Sequence, residues 1–144
     1  MVTFGEAFTF QPFGNTLVTY AMTGEQIISV LEEQCQPAGG SRPFLHLGVS
    51  VGFTYDLAKT IVGTNCTSVS VTNVQLNGVP IDPAALYNVT VNNFLADGGD
   101  NFTTFGEVMT SRLDGGNDLQ AFTNYLGTFS PVAPPSIDRV NELQ

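Results

Sequence analysis

The sequence predicts an α+β domain in which mixed sheets pack against two main helices. One observation supports this class, and two others support a single domain. Segments with strand-like alternation and segments with helical spacing both occur, but their order lacks the regular β-α-β repeat of a doubly wound sheet. The chain has 144 residues, about the length of one domain and enough to bury a core. No internal repeat or domain linker interrupts it, so we predict a single domain over residues 1–144.

The first half of the chain predicts a strand at Thr16–Ala21 and then a helix over residues 24–35. Thr23 and Gln26 have the spacing of a capping box, in which each side chain accepts a hydrogen bond from the other residue's main-chain N–H. Apolar residues then recur at helical spacing, so the helix is expected to pack by one face. Pro37 and the two glycines that follow it mark the end of the helix.

The rest of the chain predicts mostly strands separated by turns. Alternating apolar residues predict two strands, and an Asn-Gly pair predicts a tight hairpin turn after the second. A third strand leads into a glycine-rich turn, and one more helix follows. In order, these elements are strand Leu47–Tyr55, strand Ser68–Leu76, hairpin turn Asn77-Gly78, a short helical turn at Asp82–Leu86, strand Tyr87–Phe94, helix 117–126 and a short strand at Asp138–Val140.

The charge balance and hydropathy exclude two classes of partner. The formal net charge is −9 and only four residues are Lys or Arg. Neutralising phosphates requires basic residues, so we predict no binding to nucleic acid. No run approaches the roughly 20 apolar residues of a membrane span, so we predict no membrane partner. Few charges and many Thr, Asn, Ser and Gly residues are typical of secreted proteins, and we expect a secreted, extracellular, periplasmic or cell-wall location.

The chain has two cysteines, Cys35 at the end of the first helix and Cys66 before the strand that starts at Ser68. In an extracellular chain such a pair favours a disulfide. The alternative is two unrelated buried thiols. A catalytic cysteine is not expected, because the sequence holds a single histidine to activate it.

The most informative stretch is Asn93–Phe102, where a strand-like run ends in two glycines flanked by carboxylates and aromatic residues. A glycine pair permits backbone angles that side chains forbid and lets a ligand approach the main chain closely. Phe94 offers a flat apolar face, and Asp100 offers a carboxylate across the same turn. Such a pair suits a flat ligand that carries hydroxyl groups.

A second segment with similar features lies early in the chain, at Gln11–Thr16. Here Phe13 also sits at a Pro/Gly turn beside a polar residue, Asn15. Two phenylalanine rings on two loops would form a slot for an aromatic ring of the ligand, a mode of stacking that tolerates different bases. The alternative is that each ring is a core residue or a turn anchor, the usual role of a phenylalanine at a strand end.

Candidate metal ligands are few. A two-metal site needs several His, Asp and Asn ligands, whereas the only histidine, His46, lies between two leucines. A lone histidine in an apolar run is usually structural. We therefore predict no catalytic residues, no metal site and no cofactor in this chain.

Four motifs occur in one order: Pro12-Phe13-Gly14-Asn15, Met22-Thr23-Gly24, Gly78–Pro83 and, after Tyr87, Asn93–Phe102. Together they resemble the C-terminal, substrate-binding domain of the secreted 5′-nucleotidases and UDP-sugar hydrolases. The resemblance covers about Phe4 to Asp138, which is nearly the whole chain.

The resemblance implies a role for each candidate residue. Phe13 and Phe94 would stack on the two faces of a nucleoside base, and Asp100 would bind the ribose hydroxyls. Asn15 matches a polar contact to base or ribose, and Gly40 matches a main-chain contact near the base.

The resemblance also implies that catalysis belongs to another part of the protein. The family's two divalent metal ions lie on an N-terminal metallophosphoesterase domain, which would be the partner of this domain. A Gly-Gly-Ile-Arg-like segment that normally precedes the Pro-Phe-Gly turn is missing here, so the domain is expected to be incomplete at its N-terminus. We expect the missing segment to leave an apolar face exposed, which would favour dimerisation. Because the metal-bearing domain is separate, we expect this chain alone to hydrolyse nothing. The alternative function is a non-catalytic extracellular binding or adhesion module that kept the fold.

Overall fold

The computed structural model describes residues 3–143 and contains two sheets with helices packed against them. The predicted α+β class is confirmed. One sheet has three strands in the order β5-β1-β6, and the other has four in the order β4-β3-β2-β7. The elements in chain order are α1 Phe4–Phe10, β1 Thr16–Thr23, α2 Gly24–Glu32, β2 Phe53–Val62, β3 Asn65–Leu76, β4 Val79–Pro80, β5 Leu86–Asn92, α3 Asn93–Ala96, α4 Thr103–Glu107, β6 Leu113–Asn117, α5 Asp118–Phe129 and β7 Val140–Glu142.

The three-stranded sheet is built around β1, which pairs antiparallel with β5 on one side and with β6 on the other. Alternate residues of β1 point into the core, as the two-residue period of a strand requires. Val18, Tyr20 and Met22 are almost fully buried there. Phe102 and Phe105 lie in the same core.

The four-stranded sheet is dominated by the long antiparallel hairpin of β2 and β3, with β7 added parallel to β2. Its core includes Tyr55 and Leu57 of β2 and Phe44 from the preceding loop. Helix α2 lies between the two cores, because Val30 packs into the first and Leu31 into the second. One helix thus holds both sheets together.

The predicted start of α2 is confirmed, but its predicted end at residue 35 is wrong. Thr23 and Gln26 form the expected capping box. The helix ends at Glu32. The side chain of Gln34 donates to the main-chain oxygen of Leu31 at 2.7 Å, which satisfies a carbonyl group that the helix leaves free.

The predicted disulfide is present and joins Cys35, just after α2, to Cys66 at the start of β3. It links residues 31 positions apart in the sequence. The bond therefore fixes the C-terminal end of α2 against the β2–β3 hairpin.

The predicted strand Leu47–Tyr55 is wrong in its first half. Residues 47–50 have no regular structure, and a turn at Val51-Gly52 precedes β2, which begins at Phe53. Two hydrogen bonds to distant residues occupy the main chain here: the Leu47 N–H donates to the Gln34 side chain, and the Gly52 carbonyl accepts from the Asn77 N–H. The alternation of apolar residues in the sequence gives no sign of such hydrogen bonds.

Several other boundaries differ from the predicted ones. The strand predicted at Tyr87–Phe94 ends at Asn92, because the Asn92 side chain accepts from the Leu95 N–H and starts a helical turn. At Asp82 the predicted helical turn is a single turn, closed by a hydrogen bond from the Ala85 N–H to the Asp82 carbonyl. The predicted hairpin turn between β3 and β4 is confirmed. The last helix spans Asp118–Phe129, and the last strand spans Val140–Glu142.

Four elements were not predicted at all: helices α1, α3 and α4 and strand β6. Helix α1 starts from a capping box of Thr3 and Glu6, and its face toward the protein is formed by the buried Ala7. Strand β6 contains the pair Gly115-Gly116, which weakens any strand signal in the sequence. Within residues 3–143, no helix is long and apolar enough to cross a membrane.

Two buried tyrosines differ in the partners of their hydroxyl groups, and this difference leads to a prediction. The Tyr55 hydroxyl hydrogen-bonds to Gln34, whereas the Tyr20 hydroxyl has no hydrogen-bond partner in the described part of the chain. We expect Tyr20→Phe to leave the free energy of unfolding unchanged or to raise it, because it removes an unpaired polar group. Tyr55→Phe should lower it by about 1 kcal/mol. Urea unfolding of both variants measures these values.

Tyr20 should also make the stability of the chain depend on alkaline pH. Burial raises the pKa of Tyr20 to about 12. Above the unfolded-state pKa of about 10, the hydroxyl loses its proton more readily in the unfolded chain. The free energy of unfolding therefore falls as the pH rises from about 10 toward 12. We expect Tyr20→Phe to unfold at higher pH than the unsubstituted chain. At neutral pH, a loss of stability in Tyr20→Phe that equals or exceeds the loss in Tyr55→Phe would contradict the different bonding of the two hydroxyl groups.

Candidate functional site

Antiparallel pairing of β1 and β5 brings the two phenylalanine motifs to one end of the first sheet. Leu17 at the start of β1 faces Asn92 at the end of β5. Phe13 precedes Leu17 by four residues, and Phe94 follows Asn92 by two. The Thr16 N–H also donates to Asn93 Oδ1 at 2.9 Å, which ties the two loops together directly.

Both candidate rings lie on the surface. Phe13 is 72% exposed and Phe94 is 48% exposed, whereas Phe102 and Phe105 are buried in the core. These exposures do not fit the alternative in which the rings are core residues, whereas the alternative in which each ring anchors a turn stays open. An exposed aromatic ring costs free energy in water, so a pair of them at one end of a sheet is a candidate binding surface.

Phe94 is in close contact with the turn formed by Asp97–Asn101, which we call the Gly-Gly turn. A Cβ atom added to Gly99 would lie 2.6 Å from two carbons of the Phe94 ring and from its carbonyl oxygen. Only glycine therefore fits at position 99 without a shift of the ring. This contact places Asp100, the next residue, beside Phe94.

The backbone of the Gly-Gly turn is left-handed at three positions. The φ angle is +85° at Gly98, +54° at Asp100 and +62° at Asn101. Glycine adopts such angles readily, but other residues do so at a cost. The Asp100 side chain is exposed and makes no hydrogen bond to any residue of the described chain. Its carboxylate is therefore available to accept hydrogen bonds from a ligand.

The loop that holds Gly40 approaches the Gly-Gly turn from the other side. The Gly40 N–H donates to the Pro37 carbonyl at 3.2 Å and closes a tight turn. Gln36, at the start of this loop, accepts a hydrogen bond from the Asn101 side chain at 2.8 Å. Gly40 is thus on a loop that is bonded to the turn carrying Asp100, and its backbone is exposed.

Asn15 lies between Phe13 and β1, where its main chain is fixed. The Asn15 carbonyl accepts from the Asp118 N–H at 3.0 Å, which joins this loop to the start of α5. The buried Asp118 carboxylate accepts in turn from the Gln11 side chain. The first loop is therefore held at both ends by the same aspartate.

Sequence reasoning missed the charged groups that support the site. Arg112 donates to Asp97 of the Gly-Gly turn at 2.9 Å and to Asp114 of β6 at 3.3 Å. These hydrogen bonds raise the pKa of the Arg112 guanidinium above its usual value. Glu33, just past α2, accepts from Thr103 and Thr104. The contacts of Arg112 with Asp97 and of Glu33 with Thr103 and Thr104 were missed because they join segments 15 and about 70 residues apart in the chain.

Metal ligands do not gather in this region. Over residues 3–143, no group of three or more His, Cys, Asp or Glu side chains is close enough to hold a metal ion. The His46 ring instead packs against the Phe44 ring, with ring centres 4.7 Å apart and the ring planes tilted by 57°. The site presents two exposed rings and the exposed carboxylate of Asp100, which can bind a ligand.

The contact between Gly99 and Phe94 leads to a prediction. Gly99→Ala should displace the Phe94 ring and lower the free energy of unfolding by about 1–3 kcal/mol, because the new methyl group has no space. The matched control is Gly116→Ala, where no atom lies within 4 Å of the added carbon. Thermal unfolding and the ring-proton NMR signals of Phe94 measure the effect. Unchanged ring signals in Gly99→Ala would show that the ring does not rest on this turn.

Comparison with known proteins places this arrangement in a family. Residues 1–107 match the family described as the 5′-nucleotidase C-terminal domain. The NAD 5′-nucleotidase of Haemophilus influenzae is 38% identical over 110 residues, which are 74% of this chain and 18% of that protein. The cell wall protein Lmo0130 of Listeria monocytogenes is 30% identical over 126 residues, or 87% of this chain and 15% of that protein.

A solved structure gives the same result. The 5′-nucleotidase precursor from Thermus thermophilus superposes with a TM-score of 0.75 and 34% identity, over 99% of this chain and 28% of that one. The chain spans less than a fifth of the length of the two curated relatives. The family match covers residues 1–107 and the superposition covers 99% of the chain, and the chain therefore belongs to the 5′-nucleotidase C-terminal domain family.

Proposed function

We propose that this chain is the nucleoside-binding domain of a metal-dependent 5′-nucleotidase. The base stacks between Phe13 and Phe94, and the Asp100 carboxylate accepts hydrogen bonds from the ribose hydroxyls. Asn15 supplies a polar contact, and the main chain at Gly40 a further one. The observation that carries the proposal is the gathering of two exposed rings and an unpaired carboxylate at one end of the β1–β5 ladder.

The chemistry of the site suits an uncharged nucleoside better than a phosphate. Stacking of a base on aromatic side chains contributes roughly 1–3 kcal/mol per base, and a carboxylate forms strong hydrogen bonds with hydroxyl groups. The net charge of −9 and the four basic residues offer little to a phosphate. We therefore assign only the base and the ribose to this domain.

The rest of the reaction belongs to other parts of a longer protein. Hydrolysis of a nucleotide to nucleoside and phosphate needs a phosphate-binding, metal-bearing site, which the proposal places on an N-terminal metallophosphoesterase domain. This domain would raise the rate by fixing the position of the substrate. By itself the chain would bind and not hydrolyse.

We also propose that the protein works outside the cytoplasm. The disulfide between Cys35 and Cys66 is typical of proteins in oxidising compartments. The Listeria relative is named a cell wall protein, which agrees with this location. The same name supports the second candidate function, an extracellular binding module without a nucleoside ligand.

A titration with adenosine tests the proposed function. We expect saturable chemical-shift changes in the chain, and Phe94→Ala should weaken binding roughly 5- to 150-fold, which corresponds to one lost stacking contact. Asp100→Asn should also weaken binding while keeping the turn, because Asn tolerates a left-handed backbone. The matched control is Phe129→Ala, another exposed ring at 62% exposure, on α5. Absence of adenosine binding by the folded chain would refute the nucleoside site and favour the module.

A further inference from the structure

A four-residue segment after α2, Glu33–Gln36, contacts the Gly-Gly turn at one point and the start of α4 at another. The Glu33 carboxylate accepts from the Thr103 hydroxyl at 2.7 Å, from the Thr104 hydroxyl at 2.9 Å and from the Thr104 N–H at 3.0 Å. These are the first residues of α4, so a negative charge sits where a helix leaves its N–H groups free. Glu33 thereby fixes the chain directly after the turn.

Gln36 fixes the turn itself. Its Oε1 accepts from the Asn101 side chain at 2.8 Å, and its Nε2 donates to the Glu33 carbonyl at 3.0 Å. The Gln36 side chain is buried, with 4% of its residue surface exposed. A buried amide with both ends bonded is held in one orientation, so the position of Asn101 is determined by Gln36.

The turn needs such support because its conformation is unfavourable. Asp100 and Asn101 are both left-handed, and side chains other than that of glycine disfavour this region. A turn of this kind persists only where its surroundings hold it. The bond from Gln36 fixes Asn101, and the bonds from Glu33 fix Thr103 and Thr104, which follow soon after it.

The supporting segment is itself anchored to the second sheet. Gln34 is fully buried and bonds to the Tyr55 hydroxyl and to the Leu47 N–H. Cys35 forms the disulfide with Cys66. The two inner residues thus hold the second sheet, and the two outer residues hold the Gly-Gly turn and the start of α4.

We propose that Glu33 and Gln36 are positioning residues, which hold Asp100 in the orientation that binds the ribose. They do not touch the nucleoside. The inference rests on the proposed function for its effect on binding, but the geometry of the turn can be tested without any ligand.

The first measurement therefore uses the ligand-free chain. Glu33→Ala should shift the amide NMR signals of residues 98–104 and speed their hydrogen exchange, since the acceptor for Thr103 and Thr104 is lost. Glu33→Gln keeps an oxygen acceptor and should restore most of the exchange protection. The matched control is Glu32→Ala, an exposed neighbour whose side chain forms no hydrogen bond within residues 3–143. Unchanged exchange in Glu33→Ala would overturn the positioning role.

The second measurement is the dissociation constant for adenosine. We expect Glu33→Ala to raise it about tenfold, Glu33→Gln to raise it about threefold, and Glu32→Ala to leave it unchanged. Gln36→Ala, which acts through a different bond, should also weaken binding. A disturbed turn with unchanged adenosine affinity would overturn the inference and leave the nucleoside site standing. If the unsubstituted chain binds no adenosine, the proposed function fails, and the hydrogen-exchange result still decides whether Glu33 holds the turn.

Discussion

The site depends on the antiparallel pairing of β1 with β5. Residues that are about 80 positions apart in the chain meet because the first residues of β1 lie opposite the last residues of β5. That pairing also puts Tyr20 and Met22 into the core, so the ladder that positions the site is the ladder that stabilises the first sheet. Burial of these side chains fixes the register of β1 against β5, because a shift by one residue would turn the core residues outward. The two surface loops at the ends of these strands are thereby held in place.

A second constraint acts through the C-terminal end of α2. The helix contributes to both hydrophobic cores, and the residues that follow it carry the disulfide, the bonds to β2 and the bonds to the Gly-Gly turn. A rigid second sheet can therefore support an unfavourable turn on the first. This arrangement explains how two adjacent left-handed residues persist on an exposed surface.

The sequence predicted the fold class and the elements whose signals are local. The capping box of Thr23 and Gln26 and the hairpin turn at Asn77-Gly78 need only neighbouring residues, and both are present. The predicted strand at Leu47 failed because Gln34, 13 residues earlier, takes its main-chain N–H. Strand β6 was missed because its glycines give no apolar alternation and its partner lies about 100 residues away. The residues proposed to bind the ligand were predicted from sequence motifs. Glu33, Gln36 and Arg112 could not be predicted in this way, because their roles depend on contacts between distant segments.

The central claim is that a nucleoside base lies between Phe13 and Phe94. The most direct measurement is the set of nuclear Overhauser effects between the base protons of bound adenosine and the ring protons of the chain. The account predicts contacts from the base to both rings, and contacts from the ribose to the Gly-Gly turn beside Asp100. Adenosine that binds with contacts to neither ring, or to residues elsewhere in the chain, would contradict it.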